Sequence, residues 1–354
     1  MPSDTNTTDE GSPGKPSYSS DSRKQPWKEL FNHSSETKPS DDIVTVGEEE
    51  EGKGGGGSSN QDAQPHYVDM SQDTKAHFGY FEWSEKFDTE KPYYLYMDHP
   101  KGFPTTNFTT VPGPAELVHD LNQTTETFNL DDHGFMVSRQ NLCVKEFNQD
   151  TVETHYLPSL EKLIRDAVGQ DAEIVWFDWR TRSSDQEVTK LPKGTKIHLD
   201  DRSINLSPVK AVHVDQSASA AIKRVHHHSP NRADDILKSR VRIINVWRPY
   251  EGPVESSPIA VLDGSTVPSN KLVKVDIVRR TYLGESYYVL PHDQYKWYFI
   301  NKQNIEDILL FKMYDSDENV KAKCCPHASF AQDLGPNARP RKSIEARALV
   351  YTPT

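Results

Sequence analysis

The chain has 354 residues, 34% of them hydrophobic, and a formal net charge of -12, with no run long or apolar enough to span a membrane. That acidity excludes nucleic acid as the main partner, which would want a basic face, and argues equally against docking on an anionic membrane. Three cysteines, Cys143, Cys324 and Cys325, make a poor disulfide framework, and the N-terminus lacks the basic and apolar regions of a secretion signal, so a reduced, cytoplasmic protein is expected.

Only eight of the first 60 residues are apolar, too few to offset the entropy of ordering them. Glycines at 54–57 end this stretch as a flexible linker, lacking the Lys-Ser/Thr of a phosphate loop. Residues 1–65 are therefore expected to be a disordered polar tail, with a short helical turn over 24–31. Residues 66–354 form a single domain, with an N-terminal elaboration over 66–200 and a core over 201–354. The region 78–135 is aromatic and broken by Pro and Gly, and reads as short strands and loops. Leu160, Leu163, Ile164 and Ala167 at helical spacing predict an amphipathic helix over 159–167. A buried strand follows over 173–177, then a strand over 210–214. Ser217 is placed to cap a helix over 218–225, and a second short helix spans 232–239.

Strands dominate thereafter. The β-branched and aromatic runs 241–247, 259–262, 276–282, 287–290, 297–300, 308–314 and 344–351 are split by turn residues. Many short strands and few late helices predict a mainly β protein with flanking helices: a double-stranded β-helix (jelly-roll) core with an N-terminal α+β elaboration.

The chemistry centres on Ala211-Val212-His213-Val214-Asp215-Gln216 and the distant Pro326-His327-Ala328. Alternate residues of a strand share a face, so His213 and Asp215 point together, with Val212 and Val214 opposite. His327 is the best third ligand. Two imidazoles and a carboxylate, with positions left open, make the facial triad of non-heme Fe(II) oxygenases. Such oxygenases commonly take 2-oxoglutarate, whose distal carboxylate suits an arginine fork. The last strand offers Arg347, with Arg341 as second choice. Asn245 and Trp247, on one face of the strand at 241–247, and Arg248 are candidate substrate contacts.

These residues fall in a longer series of motifs. His213-Val214-Asp215-Gln216, Ile243-Ile244-Asn245-Val246-Trp247-Arg248-Pro249, Gly252-Pro253-Val254-Glu255, Gly284-Glu285-Ser286-Tyr287, Trp297-Tyr298-Phe299, Pro326-His327-Ala328-Ser329-Phe330 and the run from Arg341 to Val350 occur in order. Together they resemble the fungal hydroxylase/desaturase family, whose members include aspergillic-acid hydroxylase-like, gibberellin desaturase-like and CmcJ-like proteins. The resemblance covers roughly residues 90–352. It implies an Fe(II)/2-oxoglutarate-dependent dioxygenase that uses molecular oxygen to hydroxylate or desaturate a small secondary metabolite. It also implies Fe(II) on His213, Asp215 and His327. Where relatives often carry a histidine, this chain has Trp179, within Phe177-Asp178-Trp179-Arg180-Thr181-Arg182. The rival readings are a metal-dependent hydrolase on the same ligands and a non-catalytic jelly-roll binding protein. His226-His227-His228 reads as a solvated helix end. Cys324-Cys325 has no second cysteine pair with which to complete a zinc site.

Overall fold

The computed structural model describes residues 21–32, 43–45, 73–190, 196–198, 201–202, 204–332 and 337–353. Most of the expected tail, including the glycine linker, lies outside the described residues. The strands, in chain order, are β1 (Ile43–Thr45), β2 (Thr74–Phe81), β3 (Tyr93–Leu95), β4 (Thr110–Asp120), β5 (Phe135–Arg139), β6 (Glu173–Ser183), β7 (Lys196–His198), β8 (His213–Val214), β9 (Arg240–Glu251), β10 (Ile259–Leu262), β11 (Leu272–Val278), β12 (Leu283–Val289), β13 (Trp297–Phe299), β14 (Asp307–Asp315), β15 (His327–Ser329) and β16 (Lys342–Thr352).

Two sheets carry the fold. One has nine strands in the order β2-β4-β13-β10-β15-β8-β12-β11-β3, the other five in the order β5-β14-β9-β16-β6. A small pair, β1 with β7, stands apart from both. The chain crosses between the two large sheets from β8 to β9 to β10 and again at each step from β13 to β16, the kind of crossing a jelly roll requires. The interior between them is filled by Phe135, Val261, Trp247, Leu309 and Phe311, among others.

The outer face of the five-stranded sheet is covered by the helix Leu157–Val168, which ends at Gly169 with φ of 118°. Leu160 and Ile164 of that helix pack on Ile244, Val246, Ile344, Ala346, Ala348 and Val350. The even-numbered residues of β16 thus face away from the sandwich interior, as their apolar alternation predicts. A second helix, Ala218–His228, starts where expected, with Ser217 Oγ accepting from the Ala220 amide.

Three expectations are corrected. The region 78–135 is not only short strands, because β2 and β4 have eight and eleven residues and pair with each other. Pro112 and Pro114 obscured β4. They lie in its first half, which pairs with β2 alone and flanks a register shift between His77 and Gly79, so the ladder is already irregular where the prolines fall. The boundary at residue 200 marks no division either, since β2–β6 are built into both sheets.

Nor is 21–32 part of a loose tail. It forms a turn, Pro26–Lys28, and a short helix, Glu29–Asn32. Trp27 is buried with Tyr93, Leu95, Met97 and Val278. Its indole Nε1 donates to Asp276 Oδ2 at 3.1 Å, and Gln25 Nε2 to the same oxygen at 3.2 Å. Asp276 also pairs with buried Lys91 at 2.5 Å, which bridges to Glu285 on the neighbouring strand. The low average apolar content of the first 60 residues hid one well-placed anchor.

Candidate metal centre

β8 ends at Val214, so His213 is in the strand and Asp215 in the bend that leads to the helix at 218. β15 opens on His327, whose backbone is in register with that of His213. Directly opposed residues of paired strands share a face, and the two imidazoles lie 4.4 Å apart, centroid to centroid. Ligand atoms of His213, Asp215 and His327 all lie within 4.8 Å of one another. Val212 and Val214 are fully buried but enter different clusters, because the chain bends at this point.

The histidines are oriented alike. Nδ1 of His213 lies 2.8 Å from the Ala211 carbonyl oxygen, and Nδ1 of His327 lies 3.3 Å from that of Cys325. Each carbonyl belongs to the residue two positions back. With Nδ1 protonated and donating, Nε2 keeps its lone pair for a metal. Burial pushes the His327 pKa down to about 3, with neighbouring His213 adding to it, so the ring is neutral near pH 7. Burial alone would raise Asp215. Arg347, together with His213 and His327, outweighs it and holds the carboxylate well below its ordinary range. A borderline-hard N2O set of this kind suits Fe(II).

The five-stranded sheet supports Asp215 from across the interior. Asn245, Arg347 and Asp178 form one row over β9, β16 and β6. Asn245 Nδ2 donates to Asp215 Oδ2 at 2.7 Å and to Glu345 Oε1 at 3.2 Å. The Arg347 guanidinium reaches Asp215 at 3.2 Å, Asp178 at 3.0 Å and Glu345 at 2.6 Å.

Arg341 has the opposite environment. Its Nη1 donates to Ser257 O at 2.6 Å and Ser329 Oγ at 2.7 Å, while its Nε has no partner. It sits 5.5 Å from the Trp247 ring centroid. No carboxylate comes within ion-pair distance among the described residues, and burial, with Arg182 adding, pushes its pKa down to about 9. Arg341, Trp247, His213 and His327 line one narrow cleft.

Of the expected substrate contacts, Trp247 thus lines a cleft and Asn245 braces the carboxylate. Arg248 requires correction. It is paired with Ile344 on the helix-covered face, away from the triad, and its guanidinium donates to the Gln140 and Ile305 carbonyls. Strand alternation, with Asn245 and Trp247 facing inward, already put it on the other side. Trp179 is on that outer face too, packed against the helix layer, so its replacement of the family histidine does not touch the cavity. His226 and His227 are exposed as expected, but His228 is half-buried against Phe177.

Sequence reasoning missed the cluster around Asp178, on which Arg180, Arg202 and Arg347 converge. The signal was present. Asp178, Arg180 and Arg182 alternate along β6 and so share its inner face. They help line a cavity of about 210 Å³ that opens from His213 and Asp215 and is walled by Tyr96, Tyr282 and Tyr288.

Comparison with known proteins agrees with the motifs. Residues 78–351 match the family model described as oxidoreductase/YMDC permease-like domain. Aspirochlorine biosynthesis protein N of Aspergillus oryzae is 35% identical over 139 residues, covering 38% of this chain and 58% of that protein. The Fe(II)/2-oxoglutarate-dependent dioxygenase nvfI of Aspergillus novofumigatus is 28% identical over 271 residues, covering 74% and 91%. Hydroxylase/desaturase efuI of Hormonema carpetanum is 28% identical, covering 66% and 82%. A solved structure of a variant of the iron and alpha-ketoglutarate-dependent endoperoxidase NvfI superposes with a TM-score of 0.69 at 26% identity, over 80% of this chain and 98% of that one. The resemblance to fungal hydroxylase/desaturases and the jelly-roll fold are borne out.

Proposed function

The chain belongs to the oxidoreductase/YMDC permease-like domain family, and from that premise we propose that it is an Fe(II)/2-oxoglutarate-dependent dioxygenase that hydroxylates or desaturates a small-molecule secondary metabolite. Its relatives include Fe(II)/2-oxoglutarate-dependent dioxygenases and hydroxylase/desaturases. The observation that carries the assignment to this chain is the pairing of three clustered ligand atoms with two Nδ1–carbonyl contacts that leave the Nε2 atoms to the cluster, that of His213 being 3.6 Å from Asp215 Oδ1.

In this reading His213, Asp215 and His327 hold the metal on one face and leave the opposite positions open. Fe(II) with 2-oxoglutarate and molecular oxygen supplies the oxidising power for an unactivated C–H bond. Arg341 receives the distal carboxylate of 2-oxoglutarate. It is buried, has no carboxylate within ion-pair distance among the described residues and lines a cleft with both histidines, whereas Arg347 is already shared among three carboxylates. Arg347 and Asn245 position Asp215. The hydrolase reading fares worse, because Asp178 and Glu345, the acids that Arg347 shares with Asp215, are occupied by it and make poor general bases.

The test is Fe(II) or Mn(II) binding under anaerobic conditions, followed by 2-oxoglutarate turnover. His213→Ala, Asp215→Ala and His327→Ala should each abolish metal binding while keeping the native circular dichroism spectrum. Metal affinity unchanged in any one of them would remove that residue from the site.

A further inference from the structure

The metal centre and its cosubstrate leave part of the large cavity unexplained. Of its lining arginines, Arg180 and Arg347 converge on Asp178, as does Arg202 from beside the cavity, and Arg182 donates to the Ser207 carbonyl. Arg224 and Arg279 line the same cavity, and among the described residues neither side chain has a carboxylate within ion-pair distance.

Arg224 is held by aromatic rings instead. Its guanidinium carbon lies 4.4 Å from the Phe177 ring centroid and 5.1 Å from that of Tyr282, and its Nε makes no hydrogen bond. Burial pushes its pKa down, Tyr282 and Asp178 oppose this only in part, and Arg347 and Arg279 add to it. A guanidinium desolvated in this way is costly unless something completes it. The two rings would pack as well against an apolar side chain, so packing does not account for the charge. Arg279 follows β11 directly, in the turn that also carries Tyr282, and faces the same space.

The distance to the metal centre is set by the helix Ala218–His228, which begins three residues after Asp215. At a rise of about 1.5 Å per residue, the seven steps from Ser217 to Arg224 put the arginine roughly 10 Å along that helix from the triad. A ligand spanning that gap would lie along Tyr96, Tyr282 and Tyr288.

We propose that the substrate is a carboxylic acid whose carboxylate docks on Arg224 and Arg279 while its apolar skeleton lies on the tyrosine wall, with the carbon to be oxidised at the His213/Asp215 end. This deepens, and rests on, the dioxygenase reading above. Arginine suits the task because its planar fork can donate two parallel hydrogen bonds to a carboxylate. Arg341, in the separate narrow cleft, remains for the cosubstrate, so the two anionic ligands have separate cations.

Calorimetric titration of the metal-free full-length protein tests it, with two matched pairs as probes: naphthalene-2-carboxylate with its primary amide, and decanoate with decanamide. At least one acid should bind at least about tenfold more tightly than its amide. Arg224→Gln and Arg279→Gln should each remove most of that preference, and Arg224→Lys, which keeps the charge without the fork, should retain part of it. 2-Oxoglutarate affinity of the Mn(II)-loaded variants should stay within about twofold of wild type. The proposal is overturned if no acid binds, if acid and amide bind equally, or if the preference survives in both glutamine variants. It is also overturned if those variants lose 2-oxoglutarate instead, which would assign the arginines to the cosubstrate. Acid preference in a wild-type protein that binds neither Mn(II) nor 2-oxoglutarate would support the anion subsite and remove the cofactor assignment alone.

Discussion

Arg347 of β16 and Asp215, in the bend just after β8, meet across the interior of the sandwich, guanidinium to carboxylate at 3.2 Å. The contact makes the Asp215 carboxylate part of a buried ion cluster with Asp178 and Glu345. Removing one member of such a cluster leaves the others buried without a counter-charge.

Arg347→Leu should therefore act on the fold before it acts on the cosubstrate. A loss of about 3–5 kcal/mol is expected from stranding Asp215 and Glu345, while Asp178 keeps Arg180 and Arg202. Urea denaturation of the metal-free protein measures this. A variant as stable as wild type, with only its 2-oxoglutarate requirement raised, would return Arg347 to the anchoring role.

Arg341→Leu should show the complementary phenotype. Among the described residues its guanidinium meets Ser257 O, Ser329 Oγ and the Trp247 ring and pairs with no acid, so none is stranded. The concentration of 2-oxoglutarate needed for half-maximal turnover should rise by at least about tenfold, from the loss of two charge-assisted hydrogen bonds worth on the order of 1.5–3 kcal/mol each. Mn(II) affinity should not change. An unaltered 2-oxoglutarate requirement would exclude Arg341 as the anchor.

Trp27 gives the N-terminal segment a structural role. Trp27→Ala should cost about 3–5 kcal/mol, the usual range for a large aromatic removed from a core, and it also removes one of the donors to Asp276, leaving Gln25 and Lys91. Deleting residues 1–20 should leave the melting temperature unchanged, whereas deleting 1–32 should lower it. Equal melting temperatures for the two truncations would show the docking to be of no consequence.

His228 carries a pH dependence. Burial pushes its pKa down to about 4, and the adjacent Arg224 and His227 add to the shift, with Asp178 opposing. The unfolded chain then takes up this proton near the ordinary histidine value, before the folded chain does. The contribution to stability is therefore complete above about pH 6.5, falls as pH drops towards 4, and is constant below that. His327, pushed down to about 3 mainly by burial, adds a slope of the same sign that extends lower. Urea midpoints between pH 7 and 4 should decline less steeply in His228→Leu than in wild type. Identical slopes would exclude His228 as a contributor.

The sequence by itself determined the candidate ligand set His213, Asp215 and His327, the strand-rich architecture and the family. Each follows from local information: the two-residue period that aligns His213 with Asp215, β-branched runs between turn residues, and ordered motifs. The alternation along β16 also survived intact, because a strand between two layers must sort its apolar residues by parity. Tertiary structure decided everything that depends on which strand lies beside which. Register across β9, β16 and β6 put Asn245, Arg347 and Asp178 in one row. Only the second sheet folding over that row brought Asp215 within reach of Arg347 and left Arg341 without an acid. Trp27 was invisible for the same reason, since its partner Asp276 lies 249 residues away. Sequence periodicity says which face a side chain takes. What that face meets is set by long-range strand pairing, and here that pairing decides which arginines are neutralised and which remain for ligands.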